Sequence, residues 1–435
     1  RDWASKPKTD QVPPMKNALA PVAPLLVGVA ILLAGQGMQG TFLPVRASLE
    51  LFSTLSIGVI GAAYFFGFTV GCLKGGELVK SVGHVRVFLA MTALASAAPL
   101  IHGLILHPAA WVLLRALTGF CFAVLYVVIE SWLNEQSSNE TRGVVFSTYV
   151  MITLTMMAAG QMMTPLYDPT GLQLFVIASV LVSLGAIPVA LTKSKTPELP
   201  QEVEVNIRRL FRLAPAGAIA CIGVGLANGA FWSLAPVFTS GISGDPSLAA
   251  WFMSSAVVGG ALTQWPLGML SDRMGRRKTM ALSATTSTVV AVTILLMAGK
   301  LGFVGINLLG AAWGMFAFPI YAIAVAHAND YAEVDDYVMV SAGLLLMYGT
   351  GAIVGPFLAS AVMEVIGPTG LYLTTAVVHA SVAIYVLQRR FRSARGPSEH
   401  HTEFGDALAT TYTASQVYEE EIQHADESQQ QEDRT

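Results

Sequence analysis

Residues 228–278 read NGAFWSLAPVFTSGISGDPSLAAWFMSSAVVGGALTQWPLGMLSDRMGRRK, and residues 36–86 lie over them without a gap at a constant offset of 192. Gly37 meets Gly229, Pro44 meets Pro236, Val45 meets Val237 and Ser48 meets Ser240. Further on, Gly67 meets Gly259, Gly76 meets Gly268, Leu78 meets Leu270 and Gly83 meets Gly275. Gln36 falls on Asn228 and Thr41 on Ser233, so polar positions are shared as well. Each copy is two apolar runs of membrane-crossing length, about 20 residues each, ending in a glycine-bearing loop. The match continues after small insertions. Leu113, Leu114, Gly119, Tyr126 and Asn134 align at offset 195 with Leu308, Leu309, Gly314, Tyr321 and Asn329; Gly160 and Pro165 align at offset 191 with Gly351 and Pro356.

Working outward, composition agrees with lipid as the solvent. Hydrophobic residues make up 54% of the chain and charged residues 12%, about half the usual globular share of roughly 25%. Apolar runs place spans near 22–43, 56–79, 86–106, 109–131, 143–166 and 171–192, then near 213–238, 247–270, 279–299, 302–326, 338–362 and 369–387. The Gly-rich spans 2 and 8 are the weakest. The predicted fold class is an all-α membrane protein of twelve transmembrane helices in two pseudo-symmetric six-helix bundles. Two like-oriented bundles are related by an axis along the membrane normal, and such folds carry their solute site between the bundles near the midplane.

Basic clusters set the orientation. Lys193, Lys195, Arg208, Arg209 and Arg212 follow span 6. Arg273, Arg276, Arg277 and Lys278 follow span 8, and Arg389, Arg390, Arg392 and Arg395 follow span 12. The opposite face offers Arg46 and Lys300. The positive-inside rule then puts both termini in the cytoplasm. The expected organisation is a cytoplasmic segment 1–20, a first bundle 21–192, a linker 193–212, a second bundle 213–390 and an acidic, disordered-type tail 391–435. Residues 1–20 are polar and basic, which argues against a cleavable signal peptide.

Other classes are disfavoured by what the residues lack. A net charge of −3 points to no nucleic-acid partner. Cys72, Cys121 and Cys221 fall in apolar runs without CxxC spacing, so no metal site or disulfide framework is expected. There is no Walker A motif and no HExxH constellation; neither ATP hydrolysis nor another enzymatic activity is expected, and no cofactor.

The loop Gly268-Met-Leu-Ser-Asp272-Arg273-Met-Gly275-Arg276-Arg277-Lys278 resembles the G-x-L-x-D-R-x-G-R-R-K signature of the major facilitator superfamily at every defined position. The first-half copy keeps Gly76 and Gly83 but has Lys80 in the acid's place, followed by His84 and Arg86. Residues Leu43 to Leu49 and Glu130 to Asn134 resemble the bacterial YcaD-like group. The resemblance spans residues 20–390. It implies the major facilitator fold, a bacterial inner-membrane location, a monomer, and a small solute moved by alternating access, with a proton as possible co-substrate.

The same resemblance assigns roles. Gly268, Asp272, Arg273, Gly275, Arg276 and Arg277, with Gly76, Gly83, Arg86 and Glu130, would form a conformational latch. In it Asp272 would approach a helix N-terminus of the other bundle, and Glu130 would pair with Arg86 or Arg142. Arg115 is a Lys or Arg placed well inside a span, which makes it a functional candidate in its own right. Arg115-Ala-Leu-Thr-Gly119 also resembles the superfamily motif linked to proton coupling, although spans 1, 5, 7 and 8 hold no acid to pair with it. The expected cavity lining is Gln36, Gln39, Thr41, Asn228 and Ser233, with Phe231 and Trp232 nearby. His379 and His102 read first as packing residues. A second functional reading is a transporter-fold sensor or scaffold acting through the acidic tail.

Overall fold

The structure is a computed structural model that describes residues 19–191, 206–332 and 336–389. The expected segment 1–20 (except its last two residues), the linker through Val205, and the tail 391–435 lie outside the described residues. The first half comprises α1 (Ala23–Leu49), α2 (Thr54–Val82), α3 (His84–Leu104), α4 (Pro108–Glu135), α5 (Asn139–Gln161) and α6 (Gln173–Ala190). A short helix α7 (Ile207–Leu213) leads into α8 (Pro215–Ser243), α9 (Pro246–Met274) and α10 (Arg276–Met297). Then follow α11 (Phe303–Ala317) and α12 (Pro319–Asn329), which together make one span, and finally α13 (Tyr337–Ile366) and α14 (Gly370–Arg389). No strand occurs among the described residues.

Among the described residues, eleven spans are both long and apolar enough to cross a bilayer. The twelfth, α9, is 29 residues long but carries Ser254, Ser255, Thr263 and Gln264 in its middle. Two of those polar groups find partners in neighbouring helices. Thr263 donates to the carbonyl of Met315 on α11 at 2.6 Å, and Ser254 donates to the carbonyl of Ala158 on α5 at 3.2 Å. A hydroxyl satisfied by a neighbouring helix no longer needs water, so α9 sits in the bundle despite its lower hydropathy.

The repeat is visible in the packing itself. Helices α2 and α3 join through Gly83 at φ +95°, and α9 and α10 join through Gly275 at φ +92°, a conformation only glycine adopts without strain. Where α2 crosses α4, a Cβ on Gly67 would collide with the Ala116 backbone. Where α9 crosses α11, a Cβ on Gly259 would collide with the Ala311 backbone, the equivalent residue. Small residues let these backbones touch, which is how helices associate when lipid removes the hydrophobic driving force.

One alignment needs correction. Gly160 on α5 packs on the Ala34 carbonyl, and its structural counterpart is Gly355, which packs on the Leu226 carbonyl. The offset there is 195, the same as for α4, and not the 191 that pairs Gly160 with Gly351. Gly351 and Gly355 are four residues apart and share one helix face, so a one-turn slip still lays glycine on glycine.

Three hydrophobic clusters organise the interior. One is joint: Phe42, Ile57, Trp111 and Phe175 of the first half pack with Phe231, Phe238, Phe252 and Tyr372 of the second. These residues come from the ends of the helices remote from the basic loops. Toward the basic end the core divides. One cluster, including Leu25, Phe88 and Trp132, belongs wholly to the first half, and another, including Leu210, Met280 and Tyr337, wholly to the second. The halves are sealed together at one end and separately packed at the other.

Candidate functional site

Arg115 lies seven residues into α4, about 10 Å along the helix from its remote end. Its guanidinium carbon sits 4.2 Å from the centre of the Tyr64 ring on α2, close enough for a cation–π contact. Gln36 on α1 fixes that ring: its Nε2 donates to the Tyr64 hydroxyl at 2.7 Å, while its Oε1 accepts from the Tyr126 hydroxyl at 2.8 Å. One amide thus ties α1, α2 and α4 around the arginine. No described carboxylate pairs with Arg115, and no described group accepts a hydrogen bond from it. Glu130 is fifteen residues further along the same helix, about 22 Å away along its axis, too far to neutralise it.

Arg115 opens onto a cleft between the halves, lined by Leu43, Pro44, Ile57 and Ile60 of the first half and by Trp232 and Ser233 of the second. Trp232 stacks on Phe318, with ring centres 5.7 Å apart and planes within 5°. Phe231, its neighbour, does not reach the cleft; it is fully buried in the joint core and stacked on Trp313 at 4.6 Å. Gln39 is buried with both side-chain polar atoms unpartnered, and the buried Thr41 hydroxyl is likewise unpartnered. Asn228, the repeat partner of Gln36, is buried with its Oδ1 unpartnered, and Tyr348 packs edge-on to Tyr321 at 5.0 Å.

Glu130 stands nearer the basic end. Tyr126 stands one turn before it on α4. Tyrosines 64, 126, 321 and 348 are neighbours of the candidate residues that sequence reading left unassigned. Tyr126 and Tyr321 carried a signal, being repeat-matched.

The second-half loop forms a compact ionic cluster. Arg276, 4% exposed, pairs with Asp272, donates to Ser271 Oγ at 2.6 Å, and reaches the buried Asp330 at the end of α12 at 3.4 Å. Arg277 donates to His327 at 3.4 Å and lies over the Tyr331 ring at 5.4 Å. Each of these partners belongs to the second half. Arg273 and, in the first half, Arg86 and Lys80 are exposed. Gly268 and Gly76 lie within α9 and α2, and only Gly275 and Gly83 form the turns. His379 and His102 are buried packing residues, each bonded to a carbonyl four residues back (Thr375 at 2.9 Å, Ala98 at 2.7 Å).

Polar contacts across the halves occur at the sealed end. The Leu55 amide at the start of α2 donates to Glu364 of α13 at 3.0 Å, and Ser254 of α9 lies 3.1 Å from Gln161 Oε1 of α5.

Comparison with known proteins places this arrangement. Residues 217–418 match the family model described as Major Facilitator Superfamily, and residues 26–201 match the one described as Sugar (and other) transporter. An uncharacterised MFS-type transporter, YcaD, of Escherichia fergusonii is 25% identical over 87% of this chain and 98% of its own length. The YcaD of an Escherichia coli strain is 27% identical over 84% and 94%. Among solved structures, the nucleoside transporter NupG superposes with TM-score 0.75 at 15% identity, covering 85% of this chain and 99% of NupG. A bacterial homologue of the human lysosomal transporter Spinster, in an inward-facing and occupied conformation, gives 0.69 at 14% identity, covering 87% and 99%.

Proposed function

We propose that this chain, which belongs to the major facilitator superfamily and resembles its YcaD-like transporters, carries a small solute past Arg115 by alternating access. The basic loops face the cytoplasm in this reading. One observation supports it above the rest: the joint hydrophobic core exists at one end only, while the basic end has two separate cores. Two packed bundles that share a core at a single end can rock about the site between them, opening one face as the other closes. This arrangement is then the inward-open member of the pair.

Spin labels test the movement without knowledge of the solute. One pair goes on Ser81 and Arg273 at the basic end, another on Leu51 and Ser243 at the sealed end, all four exposed. In lipid nanodiscs both pairs should show two distance populations, the basic-end pair shortening as the other lengthens. A single fixed distance at both ends would sink alternating access. The acid to test for proton coupling is Glu130, a carboxylate on the same helix as Arg115. A pH-driven exchange between the populations that Glu130→Gln removes would mark coupling; populations indifferent to pH would mark a facilitator.

A further inference from the structure

The transport reading leaves the chemistry of the solute open, and the cleft at Arg115 narrows it. An unpaired charge at membrane depth costs several kcal/mol, and Arg115 has Tyr64 beside it but no described acid and no hydrogen-bond acceptor. The chain therefore holds an arginine whose N–H groups are left for something else to satisfy. Gln36 and Tyr126 keep Tyr64 in place, so the guanidinium is supported by a built site rather than by a flexible surface. Around it the cleft is apolar: Leu43, Pro44, Ile60 and Trp232, with Ser233 as a further polar side chain.

We infer that the solute is a small organic monoanion, a carboxylate on an apolar body, bound with its carboxylate on Arg115 and its body against Ile60, Leu43 and Trp232. This rests on the reading of that cleft as the transport site. The guanidinium fork matches a carboxylate with two parallel hydrogen bonds, and the anion supplies the counter-charge the helices omit. A polyhydroxylated solute such as a sugar would leave most of its hydroxyls facing hydrocarbon, each unpaired and costly. A cation would meet Arg115 with no acid to offset it. A dianion would bring a second charge for which the cleft offers no partner.

The experiment uses the purified full chain in nanodiscs, with phenylacetate and hexanoate as probes, set against phenylacetamide and phenethylamine. Binding is read by calorimetry and by tryptophan fluorescence. At least one carboxylate should bind about tenfold or more tighter than the amide, the scale of one charged hydrogen-bonding partner, and the amine should not bind. Arg115→Gln should erase the preference for acid over amide, while Arg115→Lys should keep it at lower affinity. Should Arg115→Gln not fold, the acid–amide comparison on the unaltered chain decides alone. Neither carboxylate binding, amide binding as well as acid, or a preference that survives Arg115→Gln overturns the inference. Uptake in proteoliposomes separates it from the transport reading. A carboxylate that binds at Arg115 but never crosses would leave the ligand class intact and refute transport.

Discussion

At the turn of the first half, His84 is buried against Trp132, with ring centres 5.9 Å apart. At the matching turn of the second half, Arg276 is buried between Asp272 and Asp330. The opposite end reverses the assignment. There the first half buries Arg46, which pairs with Glu50 at 2.7 Å and donates to the carbonyls of Pro169 and Gly171. The residue in the same place in the second half is Phe238, packed on Tyr372 at 4.9 Å. Two copies of one backbone plan have placed their buried charge at opposite ends. The plan is kept by backbone contacts at glycine crossings, which do not depend on what the outlying side chains are, so charge could be redistributed without changing the helix arrangement.

Removing Arg276 should break this comparison most visibly. Arg276→Ala removes the buried cation that Asp272 and Asp330 share, and breaking a buried pair costs about 3–5 kcal/mol. His84→Ala removes packing only and should cost about 1 kcal/mol. Unfolding midpoints of the purified variants in detergent check the ranking, and equal losses would mean that the ionic cluster is not what holds its turn. A smaller pair of effects sharpens the symmetry. Gly67→Ala and Gly259→Ala each force a Cβ onto the backbone of the crossing helix, an overpacking worth about 1–3 kcal/mol. The two losses should agree within about 0.5 kcal/mol; a large difference would show that the crossings are not equivalent.

The smallest effect concerns two turns with the same Pro-Thr-Gly ending. In the first half Gly171 donates to the Asp168 carbonyl at 3.1 Å, and in the second Gly370 donates to the Gly367 carbonyl at 2.9 Å. Gly367 adopts its turn at φ +85°. Asp168 instead accepts from the Thr170 amide at 2.8 Å and from its hydroxyl at 2.7 Å, and these bonds, the amide first, hold its carboxyl below the ordinary value. A carboxyl lowered in the folded state stabilises above its unfolded pKa, and that contribution disappears as pH falls through the folded value. Asp168→Asn should therefore lower the unfolding midpoint slightly at neutral pH and not at all in acid. A deficit independent of pH would assign the effect to shape rather than charge.

Much of this was legible in the chain. Runs of apolar residues cannot cross lipid except as helices, because every backbone group must be satisfied within the segment; spans and repeat follow. The Asp272–Arg276 pair was legible in its spacing, since four residues on a helix bring side chains together. Asp330 did not, because its approach depends on α12 ending beside α10, a fact of tertiary packing. The α5–α13 register was misread by one turn for the same reason: glycines spaced by four look alike in sequence, and the helix across from them decides which one is in contact.

What the sequence determined by itself was the solvent, the number of spans, the two-fold plan and an arginine with no acid near it in the chain. Tertiary structure alone decided which end is sealed, that Phe231 is core while Trp232 lines the cleft, and that Tyr64, held by Gln36, faces Arg115. The reason is physical. Lipid exposure and helix formation depend on residues within a span, whereas a cleft between bundles is made by residues from α1, α2, α4 and α8 that meet only once the helices pack.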